Sequence, residues 1–152
     1  MRTRAISDKQ LRDICKLIPP SDALAMRLMR QTGLRVSDVI SLPKCALARS
    51  MTVTERKTGK TRTVHISPTL HRDLQRYAAS HSDARLIPRD RSSIYRSVHT
   101  AAAALGWDNI SAHSARKAYA RAYAARHGAK ATQIELQHDR LETTLLYLTD
   151  ID

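Results

Sequence analysis

The stretch from Met51 to Ile66 most constrains the fold, because it breaks the helical rhythm around it. MTVTE and TRTVHI are rich in Thr and Val and alternate along the chain, with RKTGK between them. β-Branched residues at period two on either side of a basic, glycine-containing turn predict a β-hairpin. The flanking segments repeat apolar residues at helical spacing instead. Ser7-Asp8-Lys9-Gln10 reads as a capping box, and the helix it opens carries the stripe Leu11, Ile14, Cys15 and Ile18 before Pro19-Pro20 ends it. A second helix starts near Ser21 or Asp22 and runs through ALAMRLMRQ to Gly33, a C-cap residue. In LRVSDVISL, Val36, Val39, Ile40 and Leu42 face a core, while Arg35 and Asp38 point together toward another side. Ser67-Pro68 reads as N-cap and N1 of PTLHRDLQRYAASH, which turns Leu70, Leu74 and Tyr77 or Ala78 inward. ARLIPRD is a short strand or loop, and a helix from about Ser92 to Leu105 ends at Gly106. The expected class is mainly α with a small antiparallel β-sheet (α+β).

At 152 residues the chain fits one domain with a real core, and 42% hydrophobic residues exclude a disordered segment. A formal charge of +12 and a pI near 10.4 predict a polyanionic partner, of which nucleic acid is the commonest. No helix combines a Trp/Phe/Leu face with a basic face, which argues against a membrane-surface role. No apolar run reaches membrane-spanning length, and no apolar segment follows the basic start MRTRAISDKQ. Cys15 and Cys45 lack metal-ligand spacing and fit free thiols, so a cytoplasmic protein is expected.

Chemistry concentrates between Ser111 and Tyr147. In HSAR, His113 and Arg116 are three apart and share a helical face. Gly128 stops that helix, and a short helix follows. QHD places His138 in a loop, and Asp139, with Glu142 three residues on, can cap a final helix carrying Tyr147. An arginine, two imidazoles and a phenol converging on one point fit the handling of an anion. Charge placement adds to this. Arg116, Lys117, Arg121, Arg126 and Lys130 crowd one region, and Arg56, Lys57, Lys60 and Arg62 crowd the hairpin, as cations gripping phosphates with little base readout would.

TGLRVSD, KTGKTR, HSAR and QHDRLETTLLY, in this order, resemble the conserved boxes of the tyrosine recombinases, or phage integrases. The resemblance runs from about Ser7 to Tyr147 and implies that family's catalytic-domain fold and its chemistry on double-stranded DNA. It implies that Arg35 and Arg116 fork onto the non-bridging phosphate oxygens with permanent charge. Tyr147 is then the nucleophile that forms a 3′-phosphotyrosyl link, storing the bond energy so that rejoining needs no ATP. A phenol with a pKa of ~10 requires proton removal, and His113 and His138 are the candidates for base and phosphate hydrogen-bond donor. A hairpin lysine, Lys57 by alignment with Lys60 as the alternative, protonates the leaving 5′-oxygen. Asp38 supports the basic groups. No metal or cofactor is implied, since no carboxylate cluster of the two-metal type is present.

The sequence departs from the usual pattern at Gln137, where glycine is common before the second histidine, and at Lys117, where histidine is frequent. Only a few residues precede the first helix, and LTDID alone follows Tyr147. The expectation is therefore one catalytic domain over residues 1–152 without the family's N-terminal DNA-binding domain, an excised piece or a naturally minimal protein. A monomer in free solution and a tetramer on DNA are expected. The competing readings are a DNA-binding regulator that recombines nothing, a type IB topoisomerase-like relaxing enzyme and a structural RNA-binding protein.

Overall fold

The computed structural model of this chain describes residues 3–138 and 140–148. Asp139, the expected cap of the last helix, and residues 149–152 lie outside them. Helix α1, Asp8–Cys15, opens on the expected capping box: Ser7 Oγ accepts from Gln10 N and the Gln10 side chain accepts from Ser7 N. Helix α2, Pro20–Thr32, begins earlier than Ser21, because Pro20 fills the first helical position. Ser21 and Asp22 are buried. Asp22 receives Arg89 at 2.8 and 3.0 Å and Ser97 at 2.6 Å, which ties α2 to residues 89–97. Burial alone would raise its pKa, but the hydrogen bonds from Arg89, Ser97 and Ser21 outweigh it and hold the carboxyl below the usual range.

Gly33 ends α2 at a φ of 72°. A side chain there would also collide with the Tyr119 ring, so the position needs glycine on two grounds. Helix α3, Val36–Val39, is a single turn beginning just after Arg35. The hairpin forms as expected: β1, Ser50–Thr54, pairs antiparallel with β2, Thr61–His65, in the register Ser50↔His65 to Thr54↔Thr61. Along β1 and its exit, Met51, Val53 and Glu55 alternate inward. Helices α4 (Pro68–Ala79) and α5 (Arg91–Ala104) are capped by Ser67 and Asp90. The ARLIPRD segment between them is a loop rather than a strand: it makes the isolated bridge Pro43↔Arg85, bonds to Leu42 and Lys44 through the backbone and buries Leu86 and Ile87. Helix α6, His113–Glu135, is broken at Gly128, whose φ of 86° and ψ of 168° leave the helical region, and α7 spans Leu141–Leu148.

Helix α2 is the centre of the packing, touching α1, α3, α4, α5, α6 and β2. Its Met26, Leu28 and Met29 are fully buried with Leu70 and Leu74 of α4 and Ile94 of α5. Each such side chain removed from water contributes about 1.5–3 kcal/mol before entropy is counted. The extended N-terminal segment lies against the start of α6, with Arg4 N donating to Asn109 O and Ile6 N to Ser114 O. The effect is to fix one face of α6 from two sides while its other face meets α7.

Candidate active site

Three supports bring the chemically distinctive residues together. The first turn of α6 presents His113, Arg116 and Lys117, the loop after α6 presents His138, and α7 presents Tyr147. Arg116 is fully buried. Its guanidinium donates to Gly33 O, just past α2, and at 3.4 Å to Leu136 O, so two backbone carbonyls clamp it. Nη2 also lies 3.4 Å from His138 Nε2. A guanidinium only donates, so His138 Nε2 presents its lone pair. The ring proton then sits on Nδ1 and goes to Thr144 Oγ1 at 2.7 Å. Thr144 is itself fully buried, one turn before the tyrosine.

Tyr147 occupies the point of convergence. Its ring meets His113 edge-on at 5.1 Å and His138 at 4.9 Å between centroids. The Arg116 guanidinium carbon and Lys117 Nζ lie 5.7 and 5.8 Å from the ring centroid. Burial, followed by the charges of Arg116 and Lys117, pushes the His113 pKa down to about 4. Burial and Arg116 do the same to His138, also to about 4. Both imidazoles are therefore neutral at pH 7, and the lone pair of His138 already faces Arg116.

His113, His138 and Tyr147 line a cleft of about 850 Å³ together with Arg35, Arg56 and Lys57. Arg116 lies beneath it rather than on its wall. Arg35 reaches the cleft from the start of α3 and donates from Nη1 to Glu55 Oε2 at 2.9 Å. Glu55 has no exposure and accepts Arg62 Nε at 3.0 Å on its other oxygen. Arg62 in turn donates to Glu135 at 2.9 Å and Thr32 O at 2.7 Å, and Tyr119 Oη completes the chain on Glu135 at 2.7 Å. A partly buried run of alternating charge, centred on Glu55, thus links Arg35 to α2 and to the far half of α6. Asp38 does not join Arg35 in it: its Oδ1 accepts Arg56 N at 2.8 Å, pinning the start of the hairpin turn.

Two of the cations expected on a DNA-binding surface are turned inward. Arg62 is held by Glu55, Glu135 and Thr32, with its side chain only 7% exposed. Lys117 is buried, and its ammonium donates to Thr3 O of the N-terminal segment. In both cases an internal carboxylate or carbonyl competes with solvent for the cation and wins. Arg56 does line the cleft. Lys60 is exposed on the turn. Arg121 is exposed beside Arg4 and Arg30, away from the cleft. Sequence reasoning missed Glu55, Thr144 and three further wall residues: Arg91, Tyr95 and Arg140. Arg91 and Tyr95 sit one turn apart on α5, the guanidinium 5.2 Å above the ring. Only Glu55 carried a usable signal, because the period-two pattern of MTVTE points it inward with Met51 and Val53.

Among the described residues no three His, Cys, Asp or Glu side chains group as metal ligands would, and no helix is long and apolar enough to cross a membrane. The arrangement instead combines fixed positive charge, neutral imidazoles and a phenol, which suits attack on a phosphodiester.

A comparison with curated proteins returns no match by sequence. Solved structures do match. The chain superposes on a lambda integrase dimer bound to a COC' core site with a TM-score of 0.79 at 21% identity, covering 100% of this chain and 51% of that one. Crystalline XerA recombinase matches with a TM-score of 0.79 at 18% identity, over 99% of this chain and 60% of that one. The lambda integrase catalytic core matches at 0.74 and 22%, over 91% and 93%. These likenesses establish the fold, and the chain spans about half the length of that first lambda integrase chain. The family model described as the phage integrase family matches residues 4–152, taking in the first arginine, the hairpin, HSAR and the tyrosine. The order of boxes, the fold and that match agree: the chain belongs to the phage integrase family.

Proposed function

We propose that this chain is the catalytic domain of a site-specific recombinase, which cleaves and rejoins double-stranded DNA through a 3′-phosphotyrosyl intermediate without metal or ATP. The observation that carries the proposal is the Tyr147 ring set edge-on between two neutral imidazoles above the Arg116 guanidinium. Tyr147 Oη attacks phosphorus, its proton passes to an imidazole, and the bond from phosphorus to O5′ breaks. Lys57 gives its ammonium proton to O5′, and its place on the cleft wall supports it over Lys60 in that role. Arg35 and Arg116 hold the charge that gathers on the non-bridging oxygens. His113 and His138 supply the base and a phosphate hydrogen bond. Asp38 acts by fixing the hairpin turn. Rejoining reverses each step.

The partner is duplex DNA, met by Arg56, Lys60 and the wall residues Arg91 and Arg140, with Arg121 on an outlying surface. A lambda integrase tetramer bound to a Holliday junction has the same fold over 100% of this chain. The chain is monomeric in free solution and tetrameric on its site, and it works in the cytoplasm, where that DNA is. A regulator that only binds DNA would have no use for the convergence on Tyr147.

Covalent trapping tests the proposal. The protein and its Tyr147→Phe variant are incubated in EDTA with nicked suicide duplexes drawn from the DNA flanking the gene. An SDS-resistant adduct in the wild type alone is the expected result. An adduct in both proteins would remove Tyr147 from its role, and normal DNA binding without any adduct would favour the regulator.

A further inference from the structure

Gln137 stands immediately before His138 with a φ of 57°, in the left-handed region that favours glycine. Its side chain spans the hairpin turn. Oε1 accepts from Thr58 Oγ1 at 3.4 Å, and Nε2 donates to Thr61 O at 3.2 Å. Thr58 Oγ1 also accepts from Lys60 N at 3.2 Å, so the amide joins a network that already shapes the turn. Lys57 is the residue before Thr58, and Lys57, Thr58 and Gln137 line the same cleft. The turn projects beyond the paired strands, and Lys57 is exposed there. Helix α6 cannot hold it directly, because α6 ends at Glu135. The loop carrying His138 therefore provides the hold, at the cost of an uncomfortable backbone angle at one residue.

We infer that Gln137 is a positioning residue that latches the β1–β2 turn to the His138 loop and so places Lys57 for proton delivery to the leaving oxygen. The inference rests on the reading of Lys57 given above. Gln137→Gly separates the two effects of the residue, since glycine accepts the backbone angle and makes neither side-chain bond. The variant should keep or raise its Tm while cleaving more slowly. An ordinary destabilising change would lower both.

The experiment compares wild type, Gln137→Gly and Lys57→Ala on two suicide duplexes. One carries the natural 5′-oxygen at the scissile phosphate and the other a bridging 5′-sulfur. When the bond from phosphorus to sulfur breaks, the thiolate departs without a proton and the need for an acid disappears. Gln137→Gly should lose about tenfold in cleavage rate on oxygen and less than about twofold on sulfur. Lys57→Ala should show the same pattern more strongly, and the double variant should be no slower than Lys57→Ala. Equal losses on both substrates, or no loss on oxygen, would overturn the inference. Hydrogen exchange gives a second readout that needs no catalysis. The amides of Glu55 and Gly59, bonded across the turn, and of Lys60, bonded to Thr58 Oγ1, should exchange several-fold faster in Gln137→Gly, and unchanged exchange would overturn the latch. If wild type cleaved neither duplex, the reading of Tyr147 would fall while the exchange comparison still decided the latch.

Discussion

The floor of the cleft and its hairpin rim supply the same sign of charge in opposite ways. On the floor, Arg116 is fully buried and clamped by Gly33 O and Leu136 O, and His138 is oriented by Thr144. On the rim, Lys57 stands in an exposed turn steadied through Asp38 and Gln137. The difference fits the chemistry proposed for each. A charge that stabilises a transition state gains from being fixed beforehand in a site shielded from water. A group that delivers a proton has to approach the leaving oxygen and recover its proton afterward. Burying an arginine is costly, and the carbonyls of Gly33 and Leu136 offset part of that cost by holding its donors.

Replacing Arg116 with Lys tests the floor most severely, because it keeps the charge and discards the fork. Adduct formation should fall by about 10²–10³. Denaturant unfolding should show a loss of ~1–3 kcal/mol from the carbonyls left unmet. A variant that stayed fully stable and active would show that only the charge matters. On the rim, Lys57→Ala should cost about 10² in cleavage rate and less than ~0.5 kcal/mol in stability, since the side chain is exposed. Activity and stability thus move together for the floor and apart for the rim.

The third outcome concerns pH. The folded-state pKa values of His113 and His138 are depressed to about 4 from 6.5. The unfolded chain therefore takes up protons first as pH falls, and the stability these histidines allow is intact above pH 6.5 and lost progressively down toward 4. Urea midpoints measured across that window should decline with falling pH, and His113→Asn should flatten the decline. The smallest effect separates the rim from the buried ion network. Arg56→Ala should reduce the salt dependence of duplex affinity by about one phosphate contact, a change of ~0.9 in slope. Arg62→Gln should leave the slope unchanged, because Arg62 already faces Glu55 and Glu135.

The floor was more legible in the sequence than the rim. Helix periodicity, the Ser7 capping box, the Gly33 and Gly128 breaks and the alternating strands each follow from local chemistry, and each occurs where the sequence places it. His113, Arg116 and Tyr147 could be grouped because a helical face and an ordered set of boxes bring them together. The direction of a long cationic side chain could not be read the same way. Arg62 and Lys117 sit among other basic residues in sequence, yet their partners, Glu135 and Thr3, lie 73 and 114 positions away. Arg91 and Tyr95 escaped for a similar reason: nothing in RSSIY says that this helix start forms a wall of the cleft. Glu55 was readable, since a carboxylate on the inward face of a strand demands cations, and two of them were already in view.

Gly33 has a consequence for how this scaffold tolerates change. One backbone unit there ends α2, admits the Tyr119 ring and offers the carbonyl that seats Arg116. A side chain there would strain the backbone at a φ of 72° and collide with the Tyr119 ring, at the same unit whose carbonyl holds Arg116. The exposed turn from Arg56 to Lys60 has no such crowding, although Gly59, at a φ of 69°, still favours glycine for its backbone. A laboratory programme seeking new target sites can vary the side chains of Arg56 and Lys60 while keeping Thr58 and Gly59, whereas a library that includes Gly33 would spend most of its members on chains that cannot place the floor arginine.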